Sequence, residues 1–405
     1  MSIYFQTNHK ADCCGCGACS HVCPQKAITM TDDGQGFCYP VINRELCVHC
    51  GLCEKTCIFG EKIADTGADT KFYAVRSKDE AVVCRSSSGG MFTLMAEEIF
   101  SRGGVVYGVA YDENFRVEHA KAENMEQAAA FRGSKYVQSD NSSLYPSVKQ
   151  DLEDGKTVLV TGTPCQIAGL KAFLERSPTD TEKLYTCDNI CHGVSSPMVF
   201  ADYMQSLKKY VPEGDRIRYV NMRHKPGTDG KTAFAVHTNG GKPLPQAEDY
   251  SFYRLYQTRT VTRPSCFACR FTSYSRVGDL SFGDFWNAKD GDIAFEAKTG
   301  LNEVLVNTPK GAELFAAVSE RACFQEVSRE LAWQPHLEYA SPQPKNYGAF
   351  WEAYLHTDNR EQVMRKYLKG SILPRVIKFA MPILRKTGLY TLFGKLYKAV
   401  FVKKA

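Results

Sequence analysis

The chain has 405 residues, of which 43% are hydrophobic and 23% charged, an ordinary globular composition with room for two or three domains. Its net charge of +5 is concentrated in residues 361–405, which hold eleven Lys or Arg against the single acid Glu361, so the rest of the chain is net acidic and a nucleic-acid-binding role is disfavoured. No run of about 18 apolar residues is available to span a membrane. The opening stretch MSIYFQTNHK has no apolar signal core, so the 17 cysteines are expected in a reducing, cytoplasmic setting rather than in disulfides.

The first element is built by cysteine. Cys13, Cys16, Cys19 and Cys23 form a C-x2-C-x2-C-x3-C run closed by Pro24, and Cys47, Cys50, Cys53 and Cys57 repeat it 34 residues later. This is the two-cluster bacterial ferredoxin spacing, in which the fourth cysteine of each run ligates the other run's 4Fe-4S cluster. Cys57 therefore joins Cys13, Cys16 and Cys19, and Cys23 joins Cys47, Cys50 and Cys53. Gly15, Gly17 and Gly51 are expected to take positive φ where the backbone wraps sulfur. Zinc sites and disulfides are the alternatives, but zinc is usually held by pairs of C-x2-4-C rather than by runs of four. Ile58 follows Cys57 where the pattern has proline.

A polar linker follows this module (1–62), and from residue 71 strand-like and helix-like segments alternate. KFYAVRS (71–77), VVYGVAYD (105–112), VEHAKA (117–122), TVLVTGTP (157–164), KLYTCDNI (183–190), DLSFGDFW (279–286) and NEVLVNT (302–308) read as strands. IRYVNM (217–222) and TAFAVHT (232–238) read as a hairpin. GGMFTLMAEEIFSRG (89–103), CQIAGLKAFLER (165–176), PMVFADYMQSLKKYV (197–211) and GAELFAAVSER (311–321) read as helices, the first ending at a glycine cap. The alternation predicts an α/β domain on a mixed sheet over 71–335, with α+β as the other possibility, followed by a basic, partly helical tail over 336–405.

Four further cysteines fall near predicted strand ends: Cys165 in TGTPCQIAGL, Cys191 in NICHG, and the C-x2-C pair Cys266 and Cys269. Four soft ligands suffice for a third cluster, although scattered cysteines are also ordinary core residues. Cys187 competes with Cys191 as a ligand, but its apolar strand favours a core role. Cys14, Cys38, Cys84 and Cys323 have no partner pattern. No G-x-G-x-x-G fingerprint is present, which disfavours a nicotinamide dinucleotide site.

The segments SSSGGMFTLMAEEIFSRGGVVYGVAY, FRGSKYVQS, VLVTGTPCQIAGL, NICHGVSSP and CFACRFTSYSRVGDLSFGDFW resemble the family of coenzyme F-420 hydrogenase/dehydrogenase beta subunits over roughly residues 1–330. The resemblance implies a third 4Fe-4S cluster on Cys165, Cys191, Cys266 and Cys269, and a bound flavin, FAD before FMN. Ser86, Ser87, Ser88, Gly89 and Gly90 precede a helix whose amides can hold a pyrophosphate. Gly133, Ser134, Lys135 and Tyr136 offer a hydroxyl, a cation and an aromatic plane. Thr161, Gly162 and Thr163 end a strand where α/β folds bind ligands. Asp279 and Asp284 match family positions without a role that sequence assigns, and His192 adjoins a candidate ligand.

The expected activity is that of an iron–sulfur flavoprotein oxidoreductase linking a small-molecule hydride donor or acceptor, coenzyme F-420 in the family, to a redox partner protein. Hydride transfer calls for no side-chain acid or base. The alternative is an electron-relay subunit without a substrate site. In the tail, Leu389, Leu392, Phe393, Leu396, Tyr397, Val400 and Phe401 share one helical face amid basic residues, a pattern suited to peripheral contact with the inner face of a membrane or to packing on protein.

Overall fold

The computed structural model describes residues 3–60, 69–225, 232–241, 243–245, 252–288, 291–295 and 298–368. The N-terminal cysteine runs flank a short hairpin, β1 (Ile28–Asp32) antiparallel to β2 (Cys38–Ile42), with Ile28 opposite Ile42. Each run passes through a left-handed glycine into one helical turn: Gly17 (φ 78°) before Ala18–His21, and Gly51 (φ 73°) before Leu52–Lys55. A Cβ would strain both positions, so the sequence repeat is also a repeat of backbone shape.

The remaining strands follow in chain order as β3 (Lys71–Ser77), β4 (Val105–Tyr111), β5 (Val117–Ala122), β6 (Val158–Gly162), β7 (Leu184–Asn189), β8 (Ile217–His224), β9 (Ala233–Thr238), β10 (Leu280–Asp284), β11 (Asn302–Val306) and β12 (Ala322–Val327). All except β8 and β9, which form their own hairpin, join one eight-stranded sheet in the order β12-β3-β11-β10-β7-β6-β4-β5. The central strands β10, β7, β6 and β4 are parallel, and antiparallel strands close both sides. This is the mixed α/β sheet expected. β12 escapes sequence reading because it is an edge strand, and its Phe324 stays 46% exposed.

Alternation along the parallel strands sends side chains to two faces. Val106, Leu159, Cys187 and Leu280 face the helices Met91–Ser101 and Pro309–Ser319, with Leu94, Met95, Ile99, Leu314 and Val318 buried against them. Val105, Tyr107, Val158, Val160 and Leu184 face the helices Leu144–Glu153 and Pro164–Glu175. Ala18 of the N-terminal module sits in this second layer. The Met91–Ser101 helix ends as expected at Gly103 (φ 70°), whose N–H donates to the Phe100 carbonyl at 2.9 Å.

A third apolar cluster gathers Phe37 and Tyr39 of the module, the helix Pro197–Leu207, the β8–β9 hairpin and the helix Phe252–Thr258. Helices Tyr347–Leu355 and Arg360–Leu368 complete it, with Phe350, Trp351, Tyr354 and Met364 buried. The sequence assigns these helices to a separate tail; they belong instead to the body, because aromatic residues at helical spacing bury an apolar stripe. The stripe from Leu389 to Phe401 lies outside the described residues. Among the described residues no helix is long and apolar enough to cross a membrane.

Candidate redox site

The site forms beyond the carboxyl ends of the parallel strands, where this class of sheet offers its crevice. β6 ends at Gly162, and Thr163 caps the helix Pro164–Glu175, its N–H donating to Gln166 Oε1 at 3.1 Å. That cap fixes Cys165 in the first turn, its Sγ 3.2 Å from Thr163 Oγ1. After β7 the chain turns at Gly193 (φ 102°), whose N–H donates to Cys191 Sγ at 3.4 Å. Cys266 lies on the short turn Pro264–Ala268 and Cys269 closes it.

Cys165, Cys191, Cys266 and Cys269 line one enclosed cavity. Burial, then the charges of Cys191, Cys269 and Cys165, push the Cys266 thiol well up. Burial, then Cys165, pushes Cys191 up to about 12. Thiols that raise one another in this way would need positive charge among them to ionise, which a metal core supplies. Among the described residues no three Cys, His, Asp or Glu converge tightly enough for a single metal ion. Four cysteine sulfurs around one cavity are the donor set that a four-iron core takes, so the residues fit a cluster. Cys14 lines the same cavity, 9% exposed. Its adjacency to Cys13 hid it within the ferredoxin pattern.

Beside this cavity opens a larger cleft of about 250 Å³. Of the sequence-predicted cofactor contacts, Ser87, Ser88, Gly90, Gly133, Ser134, Lys135, Tyr136, Thr161 and Thr163 all line it. Gly89 does not: a Cβ there would stand 2.5 Å from the Val75 carbonyl and 2.8 Å from Asn302 N, so this glycine serves the packing of β3 against β11. Ser134 N–H donates to Ser87 Oγ at 2.9 Å, joining the two predicted loops. The Lys135 ammonium folds back onto the carbonyls of Ala130, Arg132 and Gly133 at 2.9, 3.2 and 3.2 Å, and burial lowers its pKa to about 7. Tyr136 stacks on Tyr256, centroids 4.4 Å apart. Arg132 Nε and Arg223 Nε are buried without a partner on this wall. Unmatched cationic donors of this kind fit an anionic ligand. Arg132 stands inside the FRGSKYVQS segment, where its neighbours Gly133 to Tyr136 carry the signal, and Arg223 belongs to a strand with no motif of its own.

The two spaces share a wall made of Thr163, Gln166 and the turn Cys191–Val194. The His192 ring in that turn lies 4.0 Å from His336 and edge-on to Trp286 at 5.3 Å. Trp286, 48% exposed, stands at the cleft mouth. Asp284 pairs with Arg223 on the cleft. Asp279 is a structural staple, its Oδ2 accepting from Thr186 N–H and Oγ1 at 2.8 and 2.6 Å and its Oδ1 from Thr308 Oγ1 at 2.9 Å. Cys187 is 1% exposed on β7 and packs in the core, as its strand position suggested.

The N-terminal module docks its first cysteine run onto this site. Gln138 Nε2 donates to the Cys14 carbonyl at 3.1 Å, Asn141 Nδ2 to Cys16 at 2.7 Å, and Arg270 to Ile58. Ile58, which replaces the usual proline, is buried in this interface with Cys14 and Phe271. Within the module, Cys19 is raised by burial and by Cys13, Cys57 and Cys53, Cys57 by burial and also by Cys13, and Cys53 by burial and also by Cys23. Cys19 thus feels Cys13 and Cys57 of its own expected set but also Cys53 of the other, so the two sets of four lie close together.

Residues 12–60 match the 4Fe-4S dicluster domain. Residues 72–145 match the N-terminal model of the coenzyme F420 hydrogenase/dehydrogenase beta subunit, and residues 155–330 the corresponding C-terminal one. A component of the F(420)H(2) dehydrogenase of Methanosarcina mazei is 23% identical over 358 residues, covering 80% of this chain and 94% of its own. A chain of the F420-reducing [NiFe] hydrogenase complex of Methanosarcina barkeri superposes with a TM-score of 0.43 at 19% identity, covering 72% of this chain and 94% of that one.

Proposed function

The chain belongs to the family of coenzyme F420 hydrogenase/dehydrogenase beta subunits and carries an iron–sulfur electron-transfer module, and from that premise we propose that it is a flavoprotein oxidoreductase with its flavin in the cleft. In this reading Cys165, Cys191, Cys266 and Cys269 hold a third 4Fe-4S cluster behind the cleft. Cys13, Cys16, Cys19 and Cys57 hold the inner ferredoxin cluster, and Cys23, Cys47, Cys50 and Cys53 the outer one. FAD, or FMN as the smaller alternative, supplies the exchange between a two-electron hydride carrier and one-electron clusters.

The chain's own residues bind, orient and insulate. Lys135 and Arg132 provide the cations for a diphosphate, with the Ser87 and Ser134 hydroxyls beside them and the unpartnered Nε of Arg223, whose charge Asp284 already balances, as a further donor. The stacked Tyr136 and Tyr256 offer a flat apolar face. Trp286 stands at the mouth with its ring edge-on to His192 on the inner wall. The observation that carries the reading is the wall of Thr163, Gln166 and Cys191–Val194, since groups on its two sides are separated by a single layer of residues. The outer run supports contact with a redox partner protein: Cys50 is exposed, and Val41, Leu46 and Val48 are exposed around it at 53%, 51% and 60%. The name of the Methanosarcina mazei relative supports reduced coenzyme F420, or a similar hydride carrier, as the small-molecule donor.

The test is flavin and iron analysis of anaerobically purified protein, followed by a screen of hydride donors with an artificial acceptor. Stoichiometric flavin with donor oxidation supports the proposal. Full iron with no flavin after incubation with FAD and FMN, and turnover only when a partner protein is added, would make the chain an electron relay.

A further inference from the structure

Arg263 heads the largest fully buried side chains among the described residues, at 0% exposure. Its guanidinium is fully engaged, yet with no carboxylate. Nε donates to the Cys13 carbonyl at 3.0 Å, Nη1 to Gln138 Oε1 at 2.9 Å and Nη2 to the Cys38 carbonyl at 3.0 Å. The one anion-capable group it touches is Cys13 Sγ, 3.8 Å from Nη2. Tyr39 and Phe37 lie under its plane at 4.3 and 5.4 Å.

A permanently charged side chain taken out of water with only neutral acceptors is strongly unfavourable unless a counter-charge stands nearby. The sequence even makes room for it: Gly15 has φ +71°, and a Cβ there would fall 2.9 Å from Arg263 Nη1. The backbone ties it in the other direction to the four-cysteine cavity, which Arg263 lines, because its carbonyl accepts from Cys266 N–H at 3.0 Å. Arg263 thus bridges Cys13 of the N-terminal module and Cys266 of the body.

We propose that Arg263 is an internal counter-ion for the inner ferredoxin cluster, holding its reduction potential up. This rests on the cluster assignments proposed above. A 4Fe-4S core with four thiolates is anionic in both working states, and gains one further negative charge when it takes up one electron. The guanidinium stays protonated throughout, so the step moves an electron and no proton. A fixed cation beside Cys13 favours the more negative state. It does so strongly here because the Arg263 site is dry, and less for the outer run, whose exposed Cys50 meets screening water. Arg263 is therefore a tuning residue, acting through the cluster rather than on substrate.

The experiment is an anaerobic redox titration of full-length protein followed by electron paramagnetic resonance, for wild type, Arg263→Gln and Arg263→Lys. Arg263→Gln is expected to shift the inner-cluster reduction equilibrium at least tenfold toward the oxidised form, a midpoint fall of about 59 mV or more for one electron. Arg263→Lys restores most of that loss, and the outer cluster moves little in either variant. Inner-cluster midpoints unchanged in both variants would overturn the assignment. Should both variants lose the inner cluster, Arg270→Lys protein labelled with 15N-guanidino arginine, which removes the other arginine near Cys57, decides: a nitrogen hyperfine coupling on the reduced inner cluster supports Arg263, and its absence overturns the proposal. If wild-type protein itself shows no ferredoxin-type signals, the underlying cluster reading falls, a failure distinct from that of Arg263.

Discussion

Gly169 lies directly beneath Cys16: a Cβ at position 169 would stand 2.8 Å from Cys16 Cβ and 3.1 Å from its sulfur, and 2.5 Å from the Tyr145 hydroxyl. The helix Pro164–Glu175 thus carries Cys165 at one end and, one turn on, a notch into which the first cysteine run settles. One helix sets the distance between the ferredoxin module and the four-cysteine cavity. Gly169→Ala is expected to overpack the joint, at about 1–3 kcal/mol by analogy with other core insertions. Anaerobic thermal unfolding should show a lowered midpoint with iron content initially intact. A midpoint equal to wild type would mean the notch is slack.

Cys266→Ser tests the cavity itself. Three cubanes correspond to about twelve iron per chain and the dicluster domain to about eight. The variant is expected to lose about four iron and keep both ferredoxin signals. Reconstituted wild-type protein that never rises above about eight iron would show that the four cysteines hold no cluster.

Lys135 gives the cleft a pH signature. Burial lowers its pKa to about 7 from an ordinary 10.5, so between those values the unfolded chain binds the extra proton and stability of the flavin-free protein rises with pH across that window. Binding of an anionic dinucleotide works the other way, because it favours the protonated ammonium. FAD affinity, measured by fluorescence quenching, should fall as pH rises through about 7. In Lys135→Met the affinity should be lower at pH 6 and flat across the range. A wild-type affinity independent of pH would remove Lys135 from the binding surface.

Glu303 provides a contrasting titration in the core. It is 1% exposed on β11, and Gln334 Nε2 donates to its Oε2 at 2.7 Å while Oε1 has no partner. Burial raises its pKa to about 8 from 4.5. A raised carboxyl pKa means that the folded state holds the proton more tightly, so this group's contribution is intact below about 4.5 and is lost as pH rises through about 8. Glu303→Gln should remove that decline, and the stability difference between variant and wild type should grow with pH across that interval. A constant difference would show that Glu303 is ionised in the fold.

Gly89 and Gly133 separate packing from binding. Gly89→Val drives a side chain into the β3 and β11 backbones and should destabilise the protein whether or not flavin is present. Gly133 has φ +86° and only Asn221 Oδ1, at 3.9 Å, near its would-be Cβ. Gly133→Val strains that left-handed backbone but drives no side chain into neighbouring backbone, so it should cost less stability than Gly89→Val while lowering flavin occupancy, read as absorbance at ~450 nm, a property of the cofactor. Equal loss of stability in the two variants would contradict the distinction.

The 4Fe-4S dicluster module was legible because its pattern is written into local spacing: each run is a few residues of backbone wrapped on itself, and Gly17 and Gly51 adopt the positive φ that the spacing demands. The alternating strands and main helices were legible for a similar reason, since apolar period follows from which face is buried. Other features depended on chain order in space. Cys165 and Cys191 meet because β6 and β7 lie side by side and parallel, which delivers their carboxyl ends to one rim, and Cys266 reaches the same cavity from the turn Pro264–Ala268. Nothing in the one-dimensional pattern marks Cys14 as facing that cavity, Gly89 as a packing rather than a binding glycine, or Arg263 as the buried cation beneath Cys13. Their roles are set by contacts across as many as 250 residues of chain, and such contacts exist only once the sheet has brought those segments together.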